Sequence, residues 1–594
     1  MKPMLLERDV RFYEGVKYRA NRCRLPVATL LYALLFSPLA TAQPLVEKTA
    51  ELGQHGGDLV ASLRAEPRTF NPVTAIDNPS LTVLRRMHAD LVHIDRRSHE
   101  AKPALATDWV VSEDGRQYEL TLRRDVRFSD GHPFDAADVV FTFEALLDER
   151  NNSPYAELLR PGGEPIRVEK LDSHRLRFHL AASYAAGERL FDSLPILPRH
   201  KLEAAQREGR LSEEWSTATS PADIVGLGPF MLQQYAPGQR LVLVRNPHYW
   251  KVDRQDRRLP YLERLVFEVG ANPSAEVLRF KAGEIHVLDR ISHSSFEALE
   301  RASSGARIAL HDLGPGLQYS FLLLNLNQLT GKPELERKQR WWRDVKFRRG
   351  LSAAVDRSAI VRLVYGGRGE PLATHVTPGL GAWHDKSLKP VAREPGKARG
   401  FFQRAGFTWD KDGRMHDAAG KPVQLTLLVS SSNQPRRDIA QVVQEDLRQL
   451  GIDVRLATLE FRALLERVLK TFDYEMVVLS MGGGDADPNG SIPLLTSTGQ
   501  NHLWQLESGS ELPPWQVEID ELMQEQLIEL DPKRRLAAYH RVQGLVAENL
   551  PMIFLASPNV LVGSARGLGN FRPAVLDHST LWNVDVLFWQ PRGK

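Results

Sequence analysis

Between Tyr118 and Leu147 the spacing of apolar residues changes from a strand repeat to a helical one within a single short segment. Tyr118, Leu120 and Leu122 alternate with Glu119, Thr121 and Arg123, the period of a half-buried strand. Val126 and Phe128 carry the alternation to a turn at Ser129-Asp130-Gly131, and Pro133 stops the strand. Asp135 then stands where a helix N-cap belongs. Asp138 puts a carboxylate in the first turn, where the helix dipole favours it. Val139, Val140, Phe143, Leu146 and Leu147 form one apolar helical face.

Similar signals recur along the chain. Leu59–Leu63 reads as a strand before a turn at Asn71-Pro72. In Gly226–Trp250, Phe230 and Leu232 open a strand and Pro237-Gly238 fits the centre of a type II turn. Leu241–Val244 is a continuous apolar run, ended by Asn246-Pro247 and expected to be buried on both faces. Tyr319 begins a further strand, followed by a polar insertion from Thr330 to Arg340. Two helical faces come next, Phe347/Leu351/Val355 and Ile360/Val361/Val364, with Asp356 to cap the second and Gly366-Gly367 to end it. Strands are predicted over Val423–Val429, Ile452–Leu456, Phe472–Leu479 and Met552–Leu555, and helices over Ile439–Leu450 and Leu536–Leu550. Strands and helices alternating over two long halves predict an α/β protein of two lobes with a cleft between them.

Composition changes the picture mainly at the N-terminus. The 594 residues exceed what one core holds, and 42% hydrophobic with 25% charged residues is ordinary for a globular chain. Arg19, Arg22 and Arg24 precede an apolar run, Leu25–Leu39, and Ala40-Thr41-Ala42 has the small-x-small pattern of a signal-peptidase site. Residues 1–42 are therefore expected to be a cleaved signal peptide, an uncleaved anchor being the alternative. They carry seven Lys/Arg against three Asp/Glu, so the formal charge of +3 becomes −1 without them. That balance gives no reason to expect a nucleic-acid partner. Cys23, the only cysteine, leaves with the signal, so neither a disulfide nor thiolate chemistry is expected.

The sequence lacks a Gly-x-Ser-x-Gly elbow and a P-loop, and His99-Glu100 is not followed by a metalloprotease pattern. His88, His93 and His99 are close in sequence, but their spacing does not stack on one helical face, and no metal site is assigned. The strongest candidate for a site is Met481–Gly490, MGGGDADPNG. Gly482, Gly483 and Gly484 allow close backbone approach, and Asp485 and Asp487 follow a strand end, where α/β ligand sites concentrate. Asp487 directly precedes Pro488, which suggests a turn role.

The strings YELTLRRDVRFSDGHPFDAADVVFTFEALL, GLGPFMLQQYAPGQRLVLVRNPHYW and YSFLLLNLN with KFRRGLSAAVDRSAIVRLVYGGRGEP together resemble the bacterial extracellular solute-binding proteins of family 5, the oligopeptide- and dipeptide-binding receptors of ABC importers. The resemblance covers most of residues 56–594. It implies a two-lobed periplasmic binding protein with an extra inserted domain and the ligand cleft between lobes. Residues 56–92, 195–313 and 556–594 would form a discontinuous domain I, 93–194 an inserted domain II, and 314–555 domain III. Hinge crossings are expected near Gly314–Gly316 and Ser557–Pro558. The resemblance implies a secreted periplasmic monomer that binds a peptide-like or other polar small ligand and delivers it to an inner-membrane ABC permease. No cofactor and no catalysis are expected. A ligand sensor presenting to a signalling receptor, and a secreted hydrolase using Asp485 and Asp487, are the alternatives. In peptide-binding relatives a Gly/Ala-Asp segment pairs with the ligand's α-amino group, and Asp485 matches that aspartate, with Gly483 and Gly484 beside it. Leu479-Ser480-Met481 stands where relatives often carry tryptophan. Asp77 and Asn78 match a cleft-lining segment, and Tyr319 begins the strand that leaves the first crossing.

Overall fold

Alternation in Asp58–Leu63 buries Leu59, Ala61 and Leu63, and this strand runs parallel to Arg264–Val269 with Leu59 opposite Leu265. The computed structural model describes residues 44–591 except 193, 271, 303–306, 483–485, 506–511 and 577–579. The hairpin read from the sequence is present. Phe230–Ala236 pairs antiparallel with Arg240–Arg245, and Gly238 takes φ +71° at the turn, the left-handed value a type II turn requires.

The remainder of the Gly226–Trp250 block locks that hairpin onto the helix Asn78–Met87. Gly228 N donates to Met87 O at 2.8 Å, Asn246 Nδ2 to Gly228 O at 2.8 Å, and Trp250 Nε1 to Leu227 O at 3.1 Å. A Cβ on Gly226 would fall on the carbonyl oxygen of Met87. Backbone against backbone leaves no side chain to swing aside. Gly226→Ala is therefore expected to cost about 1–3 kcal/mol of stability, read as a lowered urea midpoint at unchanged m-value.

The Tyr118–Leu147 expectation also holds. Gln117–Leu122 lies in an antiparallel sheet with Ala106–Val111, Arg175–His179 and Arg167–Asp172. Helix Ala136–Leu147 covers it, with Phe143 and Phe178 ring centroids 5.1 Å apart. Asp135 accepts from Ala137 N at 2.7 Å while Asp138 accepts from Asp135 N at 3.0 Å, closing a capping box.

Among the described residues, twelve strands form one continuous sheet through both lobes. In the second lobe, Asp453–Leu459, Gln424–Ser430, Met476–Met481 and Tyr319–Leu324 follow one another, with all six residues of the last buried. The link to the first lobe is Met552–Ala565, fourteen residues long. Its first part pairs with Tyr319–Leu324 (Leu322 opposite Ile553) and its last part with Ile308–Pro315 (Leu310 opposite Gly563). Between them, Gly316 N donates to Pro558 O at 3.1 Å, and Gly316 O accepts from Thr377 Oγ1 at 2.7 Å and Ser557 Oγ at 3.2 Å. On another rim of the molecule, Ala185 N donates to Leu527 O at 2.8 Å and Ser183 Oγ to Ile528 O at 3.0 Å, so the lobes touch there as well.

Several elements differ from expectation. The polar insertion Thr330–Arg340 contains most of a helix, Pro333–Arg343. Pro333 starts it, Glu334 and Glu336 occupy its first turn and Arg340 and Arg343 its last, and Trp342, with Leu335 and Trp341, packs on the second lobe's core. The helix expected at Ile439 begins at Gln434, capped by Asn433, and that expected at Leu536 begins at Pro532, capped by Asp531. The strand expected to begin at Phe472 starts at Met476. Met552–Leu555 extends ten residues further, because Pro558 sits where the strand changes partners and needs no ladder donor.

Candidate functional site

A cavity of about 1040 Å3 lies between the lobes. Arg64 at the end of strand Asp58–Leu63, Arg86 in helix Asn78–Met87 and Asp289 supply charge from the first lobe. The crossing segments contribute Gln318 and Asn559, and the second lobe adds Tyr365, Arg436 and Ser480.

Each group is held by local structure. Asn78 opens its helix after Asp77, whose carboxylate accepts from Ser80 N at 2.9 Å. The Asp77 side chain therefore serves the cap, while Asn78 and Pro79 reach the cavity wall. Tyr319 is a core residue. Its ring meets those of Phe321 and Phe554 at 5.9 Å each, its hydroxyl lies 3.7 Å from Met481 Sδ, and burial raises its pKa. From the start of this strand it is Gln318, not the Tyr319 ring, that faces the cavity. Gly483, Gly484 and Asp485 lie outside the described residues. Gly482, directly before them, lines the cavity, and a Cβ there would collide with Gln318 Cα.

Asp487 has a different part from the one expected of a turn residue alone. It does cap the turn, accepting from Asn489 N at 3.0 Å. It is also buried against Arg535, which donates to its two oxygens at 2.7 and 2.9 Å, with Arg189 Nε 3.5 Å away. Both its oxygens are thus committed to cations.

The histidines do not converge. His88 is buried against Trp215, and burial lowers its pKa to about 4. His93 lies 3.2 Å from Asp90 and 3.7 Å from Asp192. Asp192 already binds Arg96 at 2.9 Å and accepts from Ile94 N at 2.8 Å, so a guanidinium supplies the counter-charge a cation would.

Two arginines in the wall had no place in the sequence reading. Arg436 lies near the N-terminus of helix Gln434–Arg448, where the dipole disfavours a cation. Its contacts are Ser480 Oγ at 3.3 Å, Ser480 O at 3.4 Å and the face of Phe461 at 5.5 Å. Burial lowers its pKa, partly opposed by Tyr365. Arg86 belongs to the buried side of its helix with Val83 and Met87. The sequence signal was, for Arg436, a cation at the positive end of its helix and, for Arg86, a cation among the apolar positions of one. The cavity thus offers guanidinium groups, amides and hydroxyls from both lobes, the equipment for holding a polar ligand by charge-assisted hydrogen bonds.

Residues 100–502 match the family described as bacterial extracellular solute-binding proteins, family 5 (middle). The chain is 25% identical to a probable ABC transporter-binding protein of Deinococcus radiodurans, over 85% of this chain and 88% of that protein. It is 26% identical to the oligopeptide-binding protein AppA of Bacillus subtilis, covering 86% of this chain and 88% of AppA. The fold of AppA in complex with a nonapeptide superposes with a TM-score of 0.67, covering 91% of this chain and all of AppA. The ABC transporter substrate-binding protein CtaP of Listeria monocytogenes superposes with a TM-score of 0.74 at 21% identity, covering 91% of this chain and all of CtaP.

Proposed function

Because the chain belongs to the bacterial extracellular solute-binding proteins of family 5, we propose that it captures a peptide-like polar ligand in the interlobe cavity and delivers it to an inner-membrane ABC permease. The observation that carries this reading is the cavity itself. At about 1040 Å3, walled by both lobes, it is large for a small-molecule pocket and suits a ligand of a few residues. AppA, its relative, is an oligopeptide-binding protein. In this reading residues 56–92, 195–313 and 556–594 form domain I, 93–194 domain II and 314–555 domain III. The mature protein is a periplasmic monomer beginning at Gln43. Opening bends the chain at Gly314–Gly316 and Ser557–Pro558 and breaks the rim contacts of Ser183 and Ala185. Asp485 takes the ligand's amino group, and Arg436, in the cavity wall, takes a carboxylate.

The test is native mass spectrometry of protein purified from the periplasm without refolding, followed by calorimetric titration of the ligand found. A short peptide or similar zwitterion is expected. Arg436→Ala should weaken its binding by at least about tenfold, roughly 1.4 kcal/mol, with little change in the unliganded melting temperature. Unchanged affinity would remove Arg436 from the site, and recovery of cleaved ligand would favour a hydrolase.

A further inference from the structure

Five arginines are buried among the described residues: Arg86, Arg123, Arg348, Arg357 and Arg535. Four have their acceptors. Arg123 donates to Ala104 O, Arg348 to Asn549 O and Trp342 O, Arg357 to Phe554 O, Ser352 and Val391 O, and Arg535 to Asp487. Arg86 differs. It is 3% exposed, its Nε is buried without a partner, and no acceptor among the described residues meets its guanidinium. It lines the interlobe cavity.

Its surroundings add positive charge. Arg64, Arg86, Arg290, Arg368 and Arg436 line the cavity, and Asp289 is the one carboxylate among the described lining residues. Asp289 is shared with Arg64 at 4.0 Å and Arg290 at 3.8 Å. Arg368 is paired with Asp312 and Glu300. Burial, then repulsion from Arg85 and Arg96, lowers the Arg86 pKa to about 9, with Asp289 opposing, so the group remains charged at neutral pH. The C-terminal carbonyls of its own helix favour a cation in the last turn, which helps the empty protein tolerate it. They do not supply the acceptors that a buried guanidinium fork requires.

We infer that Arg86 is an anion subsite and that the ligand carries an oxyanion, a carboxylate or phosphate, beyond the termini of a neutral peptide. The planar fork of arginine matches both groups bidentately. This rests on the cavity being the ligand site, as proposed above.

Two probe sets separate the two readings. The first is thermal shift of the wild type and Arg86→Met with millimolar succinate or inorganic phosphate against chloride of equal ionic strength. A rise for the wild type alone is expected. No rise with either anion, or an equal rise in both proteins, overturns the subsite. The second is calorimetry with alanyl-glutamate against alanyl-glutamine and alanyl-phosphoserine against alanyl-serine. The wild type should prefer an acidic member by at least about tenfold, Arg86→Met should lose that preference, and the better pair identifies the oxyanion. Equal binding within both pairs overturns the subsite while leaving peptide capture intact. No peptide binding, with an Arg86-dependent anion shift, overturns peptide capture and keeps the subsite. Without ligand, Arg86→Met should melt at the wild-type temperature or above it, since an unpaired buried charge is removed. A marked fall would assign Arg86 to support of the fold; if Arg86→Met fails to fold, Arg86→Lys takes its place, and a reduced acidic preference supports the subsite, since an ammonium lacks the fork, while an undiminished one overturns it.

Discussion

Asp487→Ala is expected to lower the stability of the unliganded protein by about 3–5 kcal/mol, the cost typical of stranding one partner of a buried ion pair. The Asp487 and Arg535 side chains are only 4% and 7% exposed, so water cannot replace the lost carboxylate. The rest of the Arg535 environment is neutral: Gln526 O at 2.9 Å, Asn489 Oδ1 and Gln526 Oε1 at 3.2 Å, and the Trp383 ring at 5.0 Å. The substitution also removes the cap on Asn489 N. Urea denaturation of the single variants and of Asp487→Ala with Arg535→Met separates these effects. The double variant should recover part of the loss, because it removes the more deeply buried of the two cations facing Asp487 and leaves Arg189. If the double variant is as unstable as Asp487→Ala, the cap or the Arg189 contact, and not the pair with Arg535, dominates.

Arg357→Ala should cost about 2 kcal/mol or more, taking roughly 1 kcal/mol for each of the two buried carbonyls, Phe554 O and Ser352 O, left without a donor. Arg357 donates to Phe554 O at 2.7 Å, Ser352 O at 2.8 Å and Val391 O at 3.0 Å, and also to Ser352 Oγ at 2.8 Å. Burial lowers its pKa to about 10, so it remains a cation held by neutral acceptors alone. It ties the Val345–Ala354 helix and the segment around Val391 to the linking strand. Arg357→Lys should recover only part of the loss, since one ammonium cannot span the acceptors that the guanidinium fork reaches. A midpoint within experimental error of wild type for Arg357→Ala would show that water enters and satisfies these carbonyls.

Local chemistry made much of this fold legible. The Asp135–Asp138 box, the Pro237-Gly238 turn and the Asp356 cap each involve residues adjacent in sequence, and each formed as its residue types dictate. Strands and helices alternating over two long halves pointed to the two lobes, and the resemblance to known strings pointed to the same arrangement. The cavity wall was less legible, because Arg64, Arg86, Gln318 and Arg436 arrive from four separate elements and no spacing connects them. Asp487 illustrates the same limit. Its turn role was visible from Pro488, while its pairing with Arg535 spans 48 positions that no local pattern encodes. Tyr319 shows the converse, since an aromatic at a strand start reads the same whether it faces ligand or core. Pro333–Arg343 was obscured because charged residues dominate it and its apolar contacts with the core, Leu335, Trp341 and Trp342, are few.

The strand Met552–Ala565 also fixes when the protein can become whole. Its partners at 308–315 and 319–324 are synthesised more than two hundred residues before it. Until the last tenth of the chain has emerged, each lobe holds a sheet with an unfilled slot, and loop closure of that span makes the final docking slow. A nascent or truncated chain therefore presents two open edges able to recruit a foreign strand. Termination before Met552 should yield neither lobe in soluble form, so the molecule cannot be divided into independently expressed halves.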